Sequence, residues 1–454
     1  MRTDLAVIGA GPAGLAAALA ASARGVRVAL VDAAPGPGGQ FYRQPAAGLG
    51  ATRPEALHHR RRTWERLRDG LAAAAVDILT EHHVWCAEPV SGGFTVHALL
   101  GPGQEEPAEV HARALLLATG GHETVLPFPG WTLPGVVTAG GAQAMLKGGL
   151  VVPGGRAVVA GTGPLLLPVA TGLAAAGVEV AALVESTGPG RLARHARALA
   201  GKVPEGAGYA ARLLRHRVPV LTRHTVVAAH GEDRLTGVTI AALGPDDRVR
   251  PGTERRLDCD TLAVGHGMVP HTDLAGALGC RLDGLGVAVD AEQRTDVPGV
   301  WAAGETTGIG GAALALAEGH IAGSSAAARL RGTDPAPAPA ALKSRARQRS
   351  SAAALDTAWA PPAHWAEQLT GDTVICRCEE VTAGDVRGAL DLGAGDERTV
   401  KLLTRAGMGW CQGRMCHTAV AALAGRRPTP PGRPFARPVP LGVLARQHTE
   451  KGQS

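Results

Sequence analysis

A chain of 454 residues is too long for one compact core and points to two or three domains of roughly 100–200 residues each. Hydrophobic residues make up 45% but aromatics only 3%, so Ala, Val, Leu and Gly must do most of the packing, as in α/β folds with close helix–sheet contacts. The net charge of +6 includes only five lysines among 46 basic residues, and the densest basic runs, His58 to Arg62 and Arg191 to Arg197, lack the interleaved aromatics of a nucleic-acid surface.

Residues 4–10, DLAVIGA, read as a buried parallel strand. Gly9, Gly11 and Gly14 follow as G-x-G-x-x-G, enclosing Pro12 and Ala13. An Ala-rich helix from Ala16 to Arg24 comes next, and a second strand from Val26 ends at Asp32. This is the opening βαβ unit of a dinucleotide site. Gly9 permits the tight turn, Gly11 lets backbone approach a pyrophosphate, and Gly14 lets helix and strand pack closely. Free N–H groups at the helix start meet the phosphate, and Asp32 accepts from ribose hydroxyls. The apolar stretches Leu5 to Ala23 and Ala157 to Val178 are each broken by a Gly-x-Gly turn, so neither is expected to span a membrane.

The turn Gly38-Gly39-Gln40 follows the second strand. Gly93 to Leu99 and Val110 to Leu117 flank turn residues and suggest a small antiparallel meander. The second of these strands runs into Ala118-Thr119-Gly120. A second fingerprint opens at Val158, with Gly161 and Gly163 in place and Leu166 at the third glycine position; its second strand ends at Glu185. The architecture survives that departure, but Leu166 disfavours NAD(P) binding there. His266 and His271 read as loop residues, and a later strand ends in Gly304-Glu305. The expected division is a first dinucleotide-binding domain of residues 1–147 and 286–330, which the resemblance below makes the FAD-binding domain, with an NAD(P)-binding-like domain of residues 148–285 inserted in it.

No cysteine pair precedes residue 376, and Cys86, Cys259 and Cys280 sit in apolar surroundings as buried thiols. An odd cysteine count argues against a disulfide framework and for a reducing, cytoplasmic compartment. Residues 331–370 read as a Pro/Ala-rich linker. Then comes a cysteine quartet, Cys376-x-Cys378 and Cys411-x4-Cys416, separated by 32 residues. Four thiolates in one module suit a [2Fe–2S] cluster or zinc, and the tight C-x-C pair favours the cluster. Thr382 with Asp385 marks a helix start, and Met415 to Ala424 a second helix. The module spans residues 371–425, and residues 426–454 form a C-terminal tail.

The N-terminal fingerprint, the A-T-G strand and the late Gly-acid strand together resemble the glutathione-reductase-like flavoproteins with two dinucleotide-binding domains. GGQFYRQ (Gly38 to Gln44), LPFPGWTLPGVVTAGGAQ (Leu126 to Gln143), AGTGPLLLPVA (Ala160 to Ala170), AAGETTGIGGAALALAEGHIAG (Ala302 to Gly323) and VICRCEEVTAGDVRGAL with TRAGMGWCQGRMC narrow the resemblance. These are similar to the α (A) subunits of multi-subunit flavin-dependent amino-acid dehydrogenases: opine oxidase, D-hydroxyproline and proline dehydrogenase, and hydrogen cyanide synthase. Those subunits end in a [2Fe–2S] domain related to bacterioferritin-associated ferredoxin.

The resemblance implies FAD held by Gly9, Gly11, Pro12, Ala13, Gly14, Asp32, Gly39, Gln40, Thr119, Gly120, Gly304 and Glu305. It implies a [2Fe–2S] cluster on Cys376, Cys378, Cys411 and Cys416, and FMN at a subunit interface. Arg377, Lys401, Arg405 and Arg414 would offset the cluster's charge. The implied partners are a flavin-dependent amino-acid oxidase-like β subunit that oxidises the amine C–H and a small third ferredoxin-like subunit. Two rival readings are a stand-alone NAD(P)H-dependent FAD/[2Fe–2S] reductase and a non-redox nucleotide-binding scaffold.

Overall fold

The computed structural model describes all residues except Arg53, His59, Ala336, Pro337, Pro431 and 452–454, so His59 of the basic run lies outside the described residues. The chain forms two units. Met1–His122, Val269–Ala352 and the stretch from Thr429 make up the first; Glu123–Met268 and Ala353–Pro428 make up the second.

In the first unit, β1 (Arg2–Ile8), α1 (Pro12–Ser22) and β2 (Val28–Val31) form the opening βαβ unit. After α2 (Arg61–Ala73) come β3 (Val76–Leu79), β4 (His82–Val90), β5 (Gly93–Leu100) and β6 (Glu106–Leu117). The sheet runs β3-β2-β1-β6-β5-β4, and the strand Val300–Ala302 also pairs with β6. The long β6 forks the sheet. Its first half pairs antiparallel with β5, and its last residues pair parallel with Val300–Ala302. The carboxyl ends of β1, β6 and Val300–Ala302 therefore share one edge, where ligands of open parallel sheets bind.

Behind that edge α1 packs on the long helix Gly311–Leu330. A Cβ on Gly319 would lie 2.1 Å from the Ala13 carbonyl oxygen, and one on Gly323 would lie 2.2 Å from that of Ala17. Only glycine permits this approach of helix to helix.

The second unit holds a parallel sheet in the order Val220–Thr222, Glu179–Glu185, Arg156–Thr162, Thr261–His266, Val136–Thr138. A three-stranded antiparallel sheet and the cysteine module belong to the same unit. The division differs from the expected 147 and 286. Val136–Thr138 pairs with Thr261–His266, which carries residues 123–147 into the second unit. Leu274, Ala275 and Cys280 are buried with Ala6 and Ile8, so apolar burial draws 269–285 into the first.

Residues 331–370 are likewise not merely a linker: Pro339–Ala358 is a 20-residue helix. Its alanines are strong helix formers, and Pro339 stands at its first position, where the missing N–H costs nothing. The C-terminal tail also folds back. Ala436 N–H donates to Trp85 O at 2.8 Å, Arg433 pairs with Asp273, and Val443 is buried against Trp85 and Leu99. Among the described residues no helix is long and apolar enough to cross a membrane.

Candidate flavin and cluster sites

The first turn is built as its sequence requires. Gly9 has φ +106, and a Cβ there would lie 2.2 Å from Ala118 O; a Cβ on Gly14 would lie 1.8 Å from Gly9 O. Gly11 differs, because its Cβ position meets only Gly39 Cα, at 4.0 Å. Gly9 and Gly14 are thus fixed by the protein's own backbone, whereas Gly11 faces open space of the kind a pyrophosphate needs.

Gly11 is the N-cap of α1 and Pro12 its first residue, so the helix start follows the turn directly. Asp32 accepts N–H groups from Ala10 and, at 2.7 Å, Ala34; burial still raises its carboxyl above the usual range. Gly38 N–H donates to Ala10 O at 2.8 Å, which brings Gly39 beside Gly11. Gln40 is exposed and accepts from Arg43 at 2.6 Å.

At the neighbouring strand ends, Thr119 Oγ1 donates to His271 O at 2.6 Å and lies 3.2 Å from Thr306 Oγ1, which donates to the same carbonyl at 3.0 Å. His271 N–H in turn donates to Gly120 O at 2.9 Å. The A-T-G turn and the Gly304-Glu305 turn are thereby joined through one carbonyl. A Cβ on Gly304 would lie 2.7 Å from Ala13 Cβ, which sets this turn against the start of α1.

Sequence reasoning missed the acid that holds the Gly304 turn. Glu318, without exposed surface, accepts the Gly304 N–H at 2.9 Å and the Thr307 hydroxyl at 3.0 Å. Its charge is met by Arg349 at 2.7 Å, from the helix expected to be linker. Arg345, one turn earlier, donates to Gln293 Oε1 at 3.0 Å, and Gln293 Nε2 donates to Ala302 O at 3.0 Å. Glu305 itself is part-buried, and burial raises its carboxyl. A lone Glu inside an Ala/Gly-rich helix was the one available signal.

Of the two histidines read as loop residues, His266 ends the strand Thr261–His266, and burial pushes its imidazole down to about 4. His271 lies in a loop with Nε2 3.2 Å from Asp273.

In the second unit the quartet comes together as two pairs. Cys376 and Cys416 share a hydrogen bond, as do Cys378 and Cys411, and the charge of Cys411 reaches Cys416. The bond from Cys416 pulls the Cys376 thiol down to about 5, while the same bond and burial raise Cys416. Gly407 N–H points at Cys376 Sγ, 3.5 Å away, and a Cβ on Gly409 would lie 2.3 Å from Cys378 Cβ.

Among the described residues no three His, Cys, Asp or Glu side chains surround a single metal position. The four thiols nonetheless lie close enough to interact with one another, and such a set suits a two-iron cluster or zinc. Thr382 and Asp385 form a capping box at the expected helix start, a helix Glu397–Thr404 not foreseen from sequence follows, and the helix expected over Met415 to Ala424 runs His417–Leu423. Of the basic residues near the quartet, Arg405 is paired with Glu379 at 2.8 Å and Arg414 donates to Cys411 O at 3.1 Å. Trp131 Nε1–H donates to Val374 O at 2.7 Å, and Met415 packs on the core that includes Trp131. Cys86, Cys259 and Cys280 are buried, and burial pushes the Cys259 thiol up to about 11.

Residues 3–325 match the pyridine nucleotide-disulphide oxidoreductase family model, and residues 374–425 match the BFD-like [2Fe-2S] binding domain. The chain is 38% identical to hydrogen cyanide synthase subunit HcnB of Pseudomonas aeruginosa, over 90% of each chain. It is 33% identical to an opine oxidase subunit of Agrobacterium tumefaciens, over 92% of this chain and 85% of the other. In fold it is similar to the crystal structure of L-proline dehydrogenase from P. horikoshii, with a TM-score of 0.67 at 19% identity, covering 98% of this chain and 79% of that one.

Proposed function

Because this chain belongs to the pyridine nucleotide-disulphide oxidoreductase family, in the group of the hydrogen cyanide synthase and opine oxidase subunits, we propose that it is the electron-transfer (α) subunit of a heteromeric flavin-dependent amino-acid or imino-acid dehydrogenase. The observation that carries this reading is the union in one chain of a dinucleotide cradle and a four-thiol module, with the three other cysteines singly buried. A flavin reductase of disulfides needs a redox-active cysteine pair. Here the electron partner of the flavin is the cluster.

The cofactors of the family are FAD and a [2Fe–2S] cluster, and the residues present fit both. In this reading Gly9, Gly11, Pro12, Ala13 and Gly14 would hold the pyrophosphate on the start of α1, and Asp32 would take the ribose. Gly39 and Gln40 would contact the flavin, and Thr119, Gly120, Gly304 and Glu305 would hold the ribityl–phosphate part. Cys376, Cys378, Cys411 and Cys416 hold the cluster. FAD supplies two-electron acceptance with one-electron release, which matches a two-electron donor to a one-electron carrier. The protein's part is to bind, orient and tune.

Oxidation of the amine C–H is assigned to a β subunit resembling a flavin-dependent amino-acid oxidase, with FMN at the subunit interface and a small ferredoxin-like third subunit completing the assembly. A cytoplasmic location fits the reduced thiols. The test is purification of this chain alone and co-expressed with a flavin-dependent amino-acid oxidase-like β subunit. The complex should oxidise an amino or imino acid, with reduction of flavin and then of a cluster seen by EPR, and the isolated chain should not. Oxidation by the isolated chain at the rate of the complex would refute the assignment.

A further inference from the structure

The family name implies a pyridine nucleotide, and the second glycine turn is where one would sit. That turn departs from the first in its helix start. In the first, α1 begins at Pro12 and Leu15 N–H closes a full α-turn to Gly11 O at 2.9 Å, which leaves free N–H groups facing a phosphate. In the second, strand structure continues through Thr162 and the helix opens only at Leu166. Before it, Leu166 and Leu167 make tighter i→i+3 bonds to Gly163 and Pro164, each 3.3 Å. The Leu166 side chain is buried with Ala139, Val169 and Ala263, filling the space that the third glycine leaves to helix and strand.

A second departure comes from the chain itself. Thr162 Oγ1 donates to Trp359 O at 3.4 Å, Thr187 Oγ1 donates to Ala358 O at 3.3 Å, and the two hydroxyls are 3.2 Å apart. Both threonines are only 2% exposed and stand at the carboxyl edge of a parallel sheet, where nucleotides bind. Thr162 lies between the two turn glycines, and Thr187 follows the acid, Glu185, that would take a ribose. Glu185 is already engaged by the Gly163 N–H at 3.2 Å and the Thr187 N–H at 2.9 Å.

We infer that the Thr162–Thr187 edge of the second dinucleotide groove is capped by the chain's own Ala358–Trp359 segment, so that this chain binds neither NADH nor NADPH there. Ala358 ends the helix Pro339–Ala358, so its carbonyl and that of Trp359 bring the negative end of a helix to the place of an anionic pyrophosphate. A nucleotide would have to displace two hydroxyl–carbonyl bonds and meet that charge.

The test titrates the flavin-loaded full chain with NADH and NADPH into the millimolar range, followed by nicotinamide fluorescence and calorimetry. No saturation is expected, and saturable binding of either overturns the inference. In parallel, deuterium exchange is compared at residues 161–165 and 355–360 in the wild type, Trp359→Gly and Thr187→Val. Thr187→Val keeps the side-chain shape and removes one donor, so exchange at 355–360 should rise about five-fold, as for loss of one neutral hydrogen bond. Trp359→Gly should raise exchange in both windows. Exchange unchanged in Thr187→Val would show that the segment is not held in the groove.

Discussion

Glu318 accepts the backbone N–H of Gly304 at 2.9 Å from a helix position with no exposed surface, so the turn closing the first site's edge hangs on a buried charge. That charge is tolerable because Arg349 lies 2.7 Å away. Removing one partner of a buried pair costs about 3–5 kcal/mol, but the Arg349 side chain is 42% exposed and water would recover part of it. Arg349→Ala should therefore cost about 2 kcal/mol and lower the flavin retained per chain, with Arg349→Lys recovering part of both. Urea unfolding and the flavin absorbance ratio measure the two effects.

Gly11 and Gly14 should separate ligand space from folding space. Gly14→Ala places a methyl against Gly9 O and is expected to disrupt the turn, lowering both stability and cofactor content. Gly11→Ala meets nothing closer than 4.0 Å, so its melting temperature measured without cofactor should stay near wild type while flavin is lost. Equal destabilisation by the two would remove Gly11 from the proposed site.

Glu185 should leave a mark on the pH dependence of stability. Burial raises its carboxyl from 4.5 to about 7, so the fold favours the protonated form. The stability this confers is complete below pH 4.5 and is lost as pH rises through about 7. Glu185→Gln abolishes that loss. The variant should match wild type near pH 5 and exceed it at pH 8 by about 2 kcal/mol, read from chemical denaturation at the two pH values.

Cysteine substitutions divide into two classes. Ser in place of Cys376, Cys378, Cys411 or Cys416 should each abolish the EPR signal and cut iron per chain. Ser in place of Cys86, Cys259 or Cys280 should leave both unchanged, since these are isolated buried thiols. Stoichiometric zinc in the wild type would overturn the cluster assignment.

What the sequence made readable was local. β1, the glycine turn, α1 and Asp32 lie within the first 32 residues, and the capping box at Thr382 and Asp385 spans four positions. Arg349 was hidden because its meaning depends on Glu318, and a segment rich in Pro, Ala, Ser and Arg looks like a spacer until that partner is seen. The Thr162 and Thr187 contacts with Trp359 and Ala358 were equally illegible, since hydroxyl–carbonyl bonds across such separations leave no periodic signature. Unit boundaries moved for a related reason. A three-residue strand such as Val136–Thr138 is assigned by its pairing with Thr261–His266, which composition does not reveal.

The glycine notch between α1 and the helix Gly311–Leu330 also bears on how the chain is made. α1 leaves the ribosome about 300 residues before the surface it must bury against, and the last stretch, which seats Val443 on Trp85, emerges later still. The parallel sheet formed between Val136 and His266 has all its strands in hand well before then. Synthesis should therefore yield a folded middle flanked by an N-terminal segment with an uncovered apolar face, an interval in which chaperone capture and aggregation compete with closure.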